Sequence, residues 1–176
     1  MSLIQPVLND PIGIAALTVV VVGVWYYQRS LSWREYQKLH SLKKRFAPLL
    51  SRFWLTTSEK AYRNKSPEYL ATLGQPPRHV FSTLTEAGGH PHLLNALKCR
   101  ERRGGREYMV FAVVFPVGGM EQVECYVFDN GNGTCDAYVH TEPSAVDVRD
   151  HLTEGGVAGD PRGIVADALG VSGGSR

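Results

Sequence analysis

Hydrophobic and polar positions divide this chain into three stretches, each with its own periodicity. From Ile12 to Tyr27 the sequence reads IGIAALTVVVVGVWYY, sixteen residues without a charge. The block is apolar all round, which marks an element buried in protein or in lipid. As a helix it covers about 24 Å, a little short of the roughly 30 Å hydrocarbon core of a bilayer. Its one aliphatic hydroxyl, Thr18, can bond back to its own backbone. Trp25, Tyr26 and Tyr27 form an aromatic cluster suited to the headgroup level, and Arg29 can extend its charge outward. Trp33 and Arg34 complete this set of candidate membrane-interface residues.

Two other readings of the block are weaker. A cleaved secretory signal needs a basic leading segment and a small-residue cleavage site, whereas residues 1–11 carry no Lys or Arg and WYYQRSLSW follows. Val19 to Val22 are four β-branched residues in a row, as in a central strand. The length, the aromatic end and the basic flank favour a transmembrane helix over residues 12–28.

The second stretch has a helical period. Leu39, Leu42, Phe46, Leu49, Leu50 and Phe53 fall on one stripe, with Lys38, Lys43, Lys44, Arg45 and Arg52 opposite. Pro48 predicts a kink or two shorter helices. Residues 28–65 hold ten Lys/Arg against two Glu, whereas residues 66–176 hold nine against fourteen Asp/Glu. Basic residues are absent before the apolar block and dense behind it, so the N-terminal tail (residues 1–11) is expected outside and the remainder in the cytoplasm. The basic juxtamembrane segment, residues 29–65, reads first as an amphipathic connector packed on the domain that follows. A second reading lays it on anionic lipid, with Lys38, Lys43, Lys44 and Arg45 as contacts of about 1 kcal/mol each. Nucleic-acid binding ranks last, because nothing suggests base readout.

The third stretch begins with short helical patterns and then alternates. Ser66-Pro67-Glu68 reads as a helix start, with Tyr69, Leu70 and Leu73 inward and Gly74 as its end. Pro77 to Ala87 reads as a second helix burying Val80, Phe81 and Leu84, stopped by Gly88-Gly89. Arg103-Gly104-Gly105-Arg106 predicts a tight hairpin with Arg102 opposite Glu107 and Cys99 opposite Val110. Tyr108 to Phe115 is almost wholly apolar, like a strand covered on both faces. Val123, Cys125 and Val127 share one face with Cys135, Ala137 and Val139 only if the loop around Asn130-Gly131-Asn132 has an odd length. A three- or five-residue loop is therefore expected, with Val127 opposite Cys135. Helices starting at Ser144 and at Asp160-Pro161 close the domain, the latter burying Ile164, Val165, Ala168 and Leu169. The fold class predicted is α+β: a single transmembrane helix, then a cytoplasmic domain over residues 66–170. That domain holds a three- to four-stranded antiparallel meander flanked by helices, and residues 171–176 form a loose tail.

Composition narrows the chemistry. A chain of 176 residues that is 43% hydrophobic and 20% charged is neither disordered nor fibrous, and three cysteines are too few for a disulfide scaffold. Cys99, Cys125 and Cys135 fall at inward positions and read as small buried hydrophobes. His90-Pro91-His92 is the one close histidine pair, and with Cys99 or His79 it offers a metal or enzyme site, although its spacing matches no compact zinc pattern. Asp129 to Thr134 has the composition of a Ca²⁺ loop but lacks the oxygen ligand at the third position and the Glu at the twelfth, so turn chemistry accounts for it. Gln122, Glu124, Asp136, Tyr138 and His140 share the polar face of the last hairpin, expected to be an ordinary wet sheet face and a binding surface only if uncovered. Phosphate-binding, dinucleotide, HExxH and GxSxG motifs are absent, so no catalytic residue, cofactor or metal is assigned.

These readings lead to a single-pass membrane protein that presents a binding or assembly domain to an unidentified protein partner or to itself. Two alternatives stand beside it. One is a membrane-tethered enzyme or metal-binding domain using His90, His92 and Cys99; the other is a soluble protein whose N-terminal helix is buried by self-association.

Overall fold

A computed structural model describes residues 10–52, 67–93, 95, 97–102, 105–118, 121–143 and 162–171. Helix α1 spans Pro11–Arg29. The Asp10 carboxylate accepts from the backbone N–H groups of Ile12 and Gly13, each at 3.2 Å, which satisfies two of the donors left free at a helix start. Thr18 donates its hydroxyl to the Ile14 carbonyl at 2.8 Å, so no polar group of that side chain is left over. By length and composition α1 is the one helix among the described residues that could cross a membrane, and 7% of it is buried.

After a short elbow, Ser32 and Glu35 cap one another and open helix α2, Trp33–Arg52. α2 runs through Pro48 as one element and not as two shorter helices. Of the expected stripe, Leu39 packs on the core. Trp33, Tyr36 and His40 turn toward the sheet, leaving Leu42 and Phe46 of the anticipated stripe 50% and 53% exposed. Large aromatic surface decides this choice: Trp33 packs edge-on against Phe81 and Phe111, with ring centroids 5.2 and 5.9 Å away.

The remaining elements are β1 (Tyr69–Leu73), α3 (Pro77–Glu86), β2 (His90–Pro91), β3 (Cys99–Arg102), β4 (Gly105–Tyr108), β5 (Phe111–Gly118), β6 (Glu121–Asp129), β7 (Cys135–Pro143) and α4 (Arg162–Leu169). The fold is α+β. A five-stranded antiparallel sheet runs β1-β7-β6-β5-β2, and β3-β4 form a separate hairpin. The sheet is therefore not the three- to four-stranded meander expected: it has five strands, and the β3-β4 hairpin stands apart from it because β4 and β5 are separate strands. Tyr69–Leu73 is a strand rather than the expected helix, because the open edge of β7 offers it an antiparallel ladder, irregular between Tyr69 and Ala71. The β3-β4 hairpin turns one residue earlier than expected, setting Cys99 opposite Tyr108 and Arg100 opposite Glu107. Between β6 and β7 the loop has five residues, with Asp129 opposite Cys135 and Val127 opposite Ala137. Gly131 and Gly133 hold positive φ there, and Asp129 and Asn132 accept backbone bonds within the turn.

The odd loop puts the expected residues together. Val123, Cys125, Val127, Cys135, Ala137 and Val139 share one core with Phe111, Val113 and Phe115, covered by α2, α3 and α4. Each large apolar side chain buried there contributes about 1.5–3 kcal/mol. In α4 the buried residues are Val165 and Ala166, and Ile164 stays exposed. The helix expected from Ser144 lies outside the described residues.

Candidate functional site

The opposite sheet face was expected to be wet, and it is buried. Gln122, Glu124, Tyr126, Phe128, Asp136 and Tyr138 are each at most 5% exposed. Leu97 and Met109 pack on the rings of Tyr126, Phe128 and Tyr138, and strands β3 and β4 extend the cover. Tyr126 and Tyr138 stack at 5.2 Å, the Lys98 ammonium sits 5.6 Å from the centre of the Tyr126 ring, and the Arg100 guanidinium lies 4.7 Å over Phe128. Two ionic centres flank this aromatic middle.

Arg100 uses all three of its side-chain nitrogens. Its Nε donates to Glu107 at 2.6 Å, Nη1 to Asp136 at 2.6 Å, and Nη2 to the Asn130 side chain at 2.9 Å and the Asp129 carbonyl at 3.2 Å. The second Asp136 oxygen accepts from Thr72 at 2.6 Å.

At the other end, β6 and β7 bring Glu124 opposite His140 and Gln122 opposite Glu142, while the chain leaving β2 lays His92 over them. His92 Nδ1 is 3.0 Å from Glu124 Oε1 and 3.5 Å from Glu142 Oε1. His140 Nε2 is 3.3 Å from Glu124 Oε2 and 3.4 Å from Glu142 Oε2, and its Nδ1 is 3.6 Å from Glu68. Tyr126 donates its hydroxyl to Glu68. Asn95 donates to Glu124 at 2.8 Å and Gln122 to Glu142 at 2.7 Å. Burial alone would raise the Glu124 carboxyl, but the His92 hydrogen bond and the charges of His92, His140 and Lys98 hold it well below the carboxylate range. Burial likewise works against the charge on His140; the Glu142 and Glu68 carboxylates beside it and the Glu124 charge outweigh that and raise it to about 10.

The loop that carries His92 is held by the helices. Gln28, at the end of α1, accepts from Leu93 N–H at 2.9 Å. The Tyr36 hydroxyl donates to the His92 carbonyl at 3.2 Å and accepts from Ala112 N–H at 3.0 Å. Lys43 donates to the Leu93 carbonyl at 2.7 Å, to the Asn95 side chain at 2.8 Å and to the Asn95 carbonyl. Burial lowers that ammonium to about 8.

The predicted residues fall as follows. Lys43 is turned into the domain and not toward a lipid surface, Lys44 is half-buried, and Arg34, Lys38 and Arg45 are exposed. Tyr26 and Tyr27 are exposed, Arg29 is half-buried, and Trp33 belongs to the core; the side chain of Trp25 lies outside the described set. Of the trio His90, His92 and Cys99, only His92 joins the acidic group, whose other members are Glu124 and Glu142. All three cysteines are buried and free, and burial raises the thiols of Cys125 and Cys135. Glu142 was missed, although alternation from Glu124 and His140 already put it on their face. Glu68 and Asn95 reach the group only through tertiary contacts. No family model matches the chain, and neither a curated protein nor a solved structure does.

Proposed function

We propose that the chain is a single-pass membrane protein that holds its α+β domain against the cytoplasmic leaflet and acts by binding or assembly rather than catalysis. The observation that carries this reading is the exposure of α1: Val19 and Val20 stand 71% and 59% exposed, in a helix apolar all round. A core helix of a soluble protein would be covered by its own domain. The exposed edge of α2 supports the same arrangement. Leu42 and Phe46 lie beside the exposed Arg34, Lys38 and Arg45, an apolar stripe with a basic rim suited to an anionic lipid surface. The six basic residues from Arg29 to Arg45 support an inner position for that surface.

Membrane fractionation with cysteine labelling tests it. In intact cells a cysteine introduced at Ser2 should react with an impermeant reagent, and one at Ser175 should react only after lysis. The reverse pattern overturns the orientation. Recovery of the full chain in the soluble fraction as an oligomer would replace the anchor with self-association through α1.

A further inference from the structure

The His–Glu group is built differently from an ordinary buried ion pair. Two carboxylates lie between two imidazoles, and each carboxylate presents one oxygen to each ring, at 3.0 and 3.5 Å on the His92 side and 3.3 and 3.4 Å on the His140 side. Metal–ligand bonds of about 2.1 Å put neighbouring donors about 3.0 Å apart in an octahedron and about 3.4 Å apart in a tetrahedron. All four spacings fall near those edges. The donor atoms of His92, Glu124 and Glu142 lie within 4.8 Å of one another.

An independent observation points to the same place. Glu124 is fully buried, yet its Oε2 accepts no hydrogen bond; it faces His140 without the geometry of one, and His140 Nδ1 is likewise without a hydrogen bond. Buried polar atoms are satisfied almost everywhere in proteins, so an orphaned carboxylate oxygen aimed into a donor cluster marks a missing partner. Glu124 and Glu142 supply the oxygen donors at this point, with Glu68 and the Lys98 ammonium around them.

We infer that this cluster binds one divalent first-row transition-metal ion. His92 Nδ1 and the carboxylates of Glu124 and Glu142 hold it, while His140 Nε2 faces the far oxygens of the same two carboxylates. Mixed imidazole and carboxylate donors suit Zn²⁺, Fe²⁺ or Mn²⁺ better than Ca²⁺ or Mg²⁺, which take oxygen ligands. Asn95 and Gln122 fix the carboxylates through their other bonds, and the Glu68 carboxylate lies 3.6 Å behind His140 Nδ1. The ion replaces the proton that His92 Nδ1 gives to Glu124.

The full chain in detergent, stripped by a chelator, is titrated with Co²⁺ and with Zn²⁺; the result is independent of membrane orientation. One equivalent per chain is expected, with Co²⁺ giving visible absorption of a mixed nitrogen–oxygen site and Zn²⁺ raising the melting temperature. Glu142→Gln, at a partly exposed side chain, should keep the metal-free circular dichroism spectrum and weaken binding about a hundredfold or more. His92→Ala should do the same, and His90→Ala should change nothing. The inference fails if the folded wild-type protein takes up neither ion, if Glu142→Gln and His92→Ala bind like wild type, or if Ca²⁺ competes at equal concentration.

Discussion

Two buried ionic centres share one face of the same sheet and solve the problem of interior charge differently. The Arg100 centre uses a permanently charged guanidinium and spreads it over Glu107, Asp136, Asn130 and a carbonyl. The His92–His140 centre sets two imidazole rings against two carboxylates and leaves Glu124 Oε2 without a hydrogen bond. Full pairing with a fixed charge makes a brace; partial pairing with titratable groups makes a site. The difference lies in satisfaction of lone pairs, since both centres are deeply buried.

The sharpest way to test the contrast is to cut each centre. Asp136→Ala takes the more deeply buried of two carboxylates from the Arg100 guanidinium and leaves Thr72 without its acceptor, and should destabilise the domain by about 3 kcal/mol, read from urea unfolding. Lys43→Met removes the donor that holds Leu93 and Asn95, and a loss of about 1–3 kcal/mol is expected. Hydrogen exchange at the Leu93 amide should speed up in that variant. Glu142→Gln, by comparison, should change metal-free stability by less than about 1 kcal/mol. If it matches Asp136→Ala, the His–Glu group is a brace as well.

A third buried imidazole extends the comparison to pH. His40 stacks on Tyr36 at 5.5 Å, neither ring nitrogen has a partner, and burial with the Lys44 and Lys43 charges lowers it to about 3. The unfolded chain therefore binds a proton that the folded chain refuses between about pH 6.5 and 3. This contribution is fully present above pH 6.5 and is lost as pH falls through that window. His40→Phe should move the acid unfolding midpoint downward, while the neutral-pH circular dichroism spectrum stays the same. The smallest effect belongs to the outer edge of α2. Phe46→Glu should leave unfolding within about 0.5 kcal/mol of wild type and lower the binding of the chain's α2 surface to anionic vesicles.

Much of this contrast was hidden in the sequence, for physical reasons. Alternation along Val123–Val127 and Cys135–Val139 reveals the core face, and the parity of the loop reveals that the two sets agree. The exact pairing is two residues off the expectation because a three- and a five-residue loop share that parity. Tyr69–Leu73 carries no pattern that separates a short helix from an edge strand; the free edge of β7 decides. Glu124, Asp136 and His140 read as a wet face because the cover, Asn95 to Arg100, arrives from a different part of the chain. His92 and Glu142 are fifty residues apart, a neighbourhood that no local rule reaches. The helical spacing of α2 was visible, but an amphipathic pattern with large aromatics on one side and leucines on another leaves two sides to choose between.

The elbow between α1 and α2 has a consequence for encounter. A flexible connector of thirty residues would let a tethered domain wander roughly 30 Å. Here Gln28 and Leu31 are sunk into the domain at the very point where the first helix ends. In the proposed anchored form the body turns with its mast: it cannot reach for a distant target, and a companion must come to it by lateral diffusion with the matching side already facing.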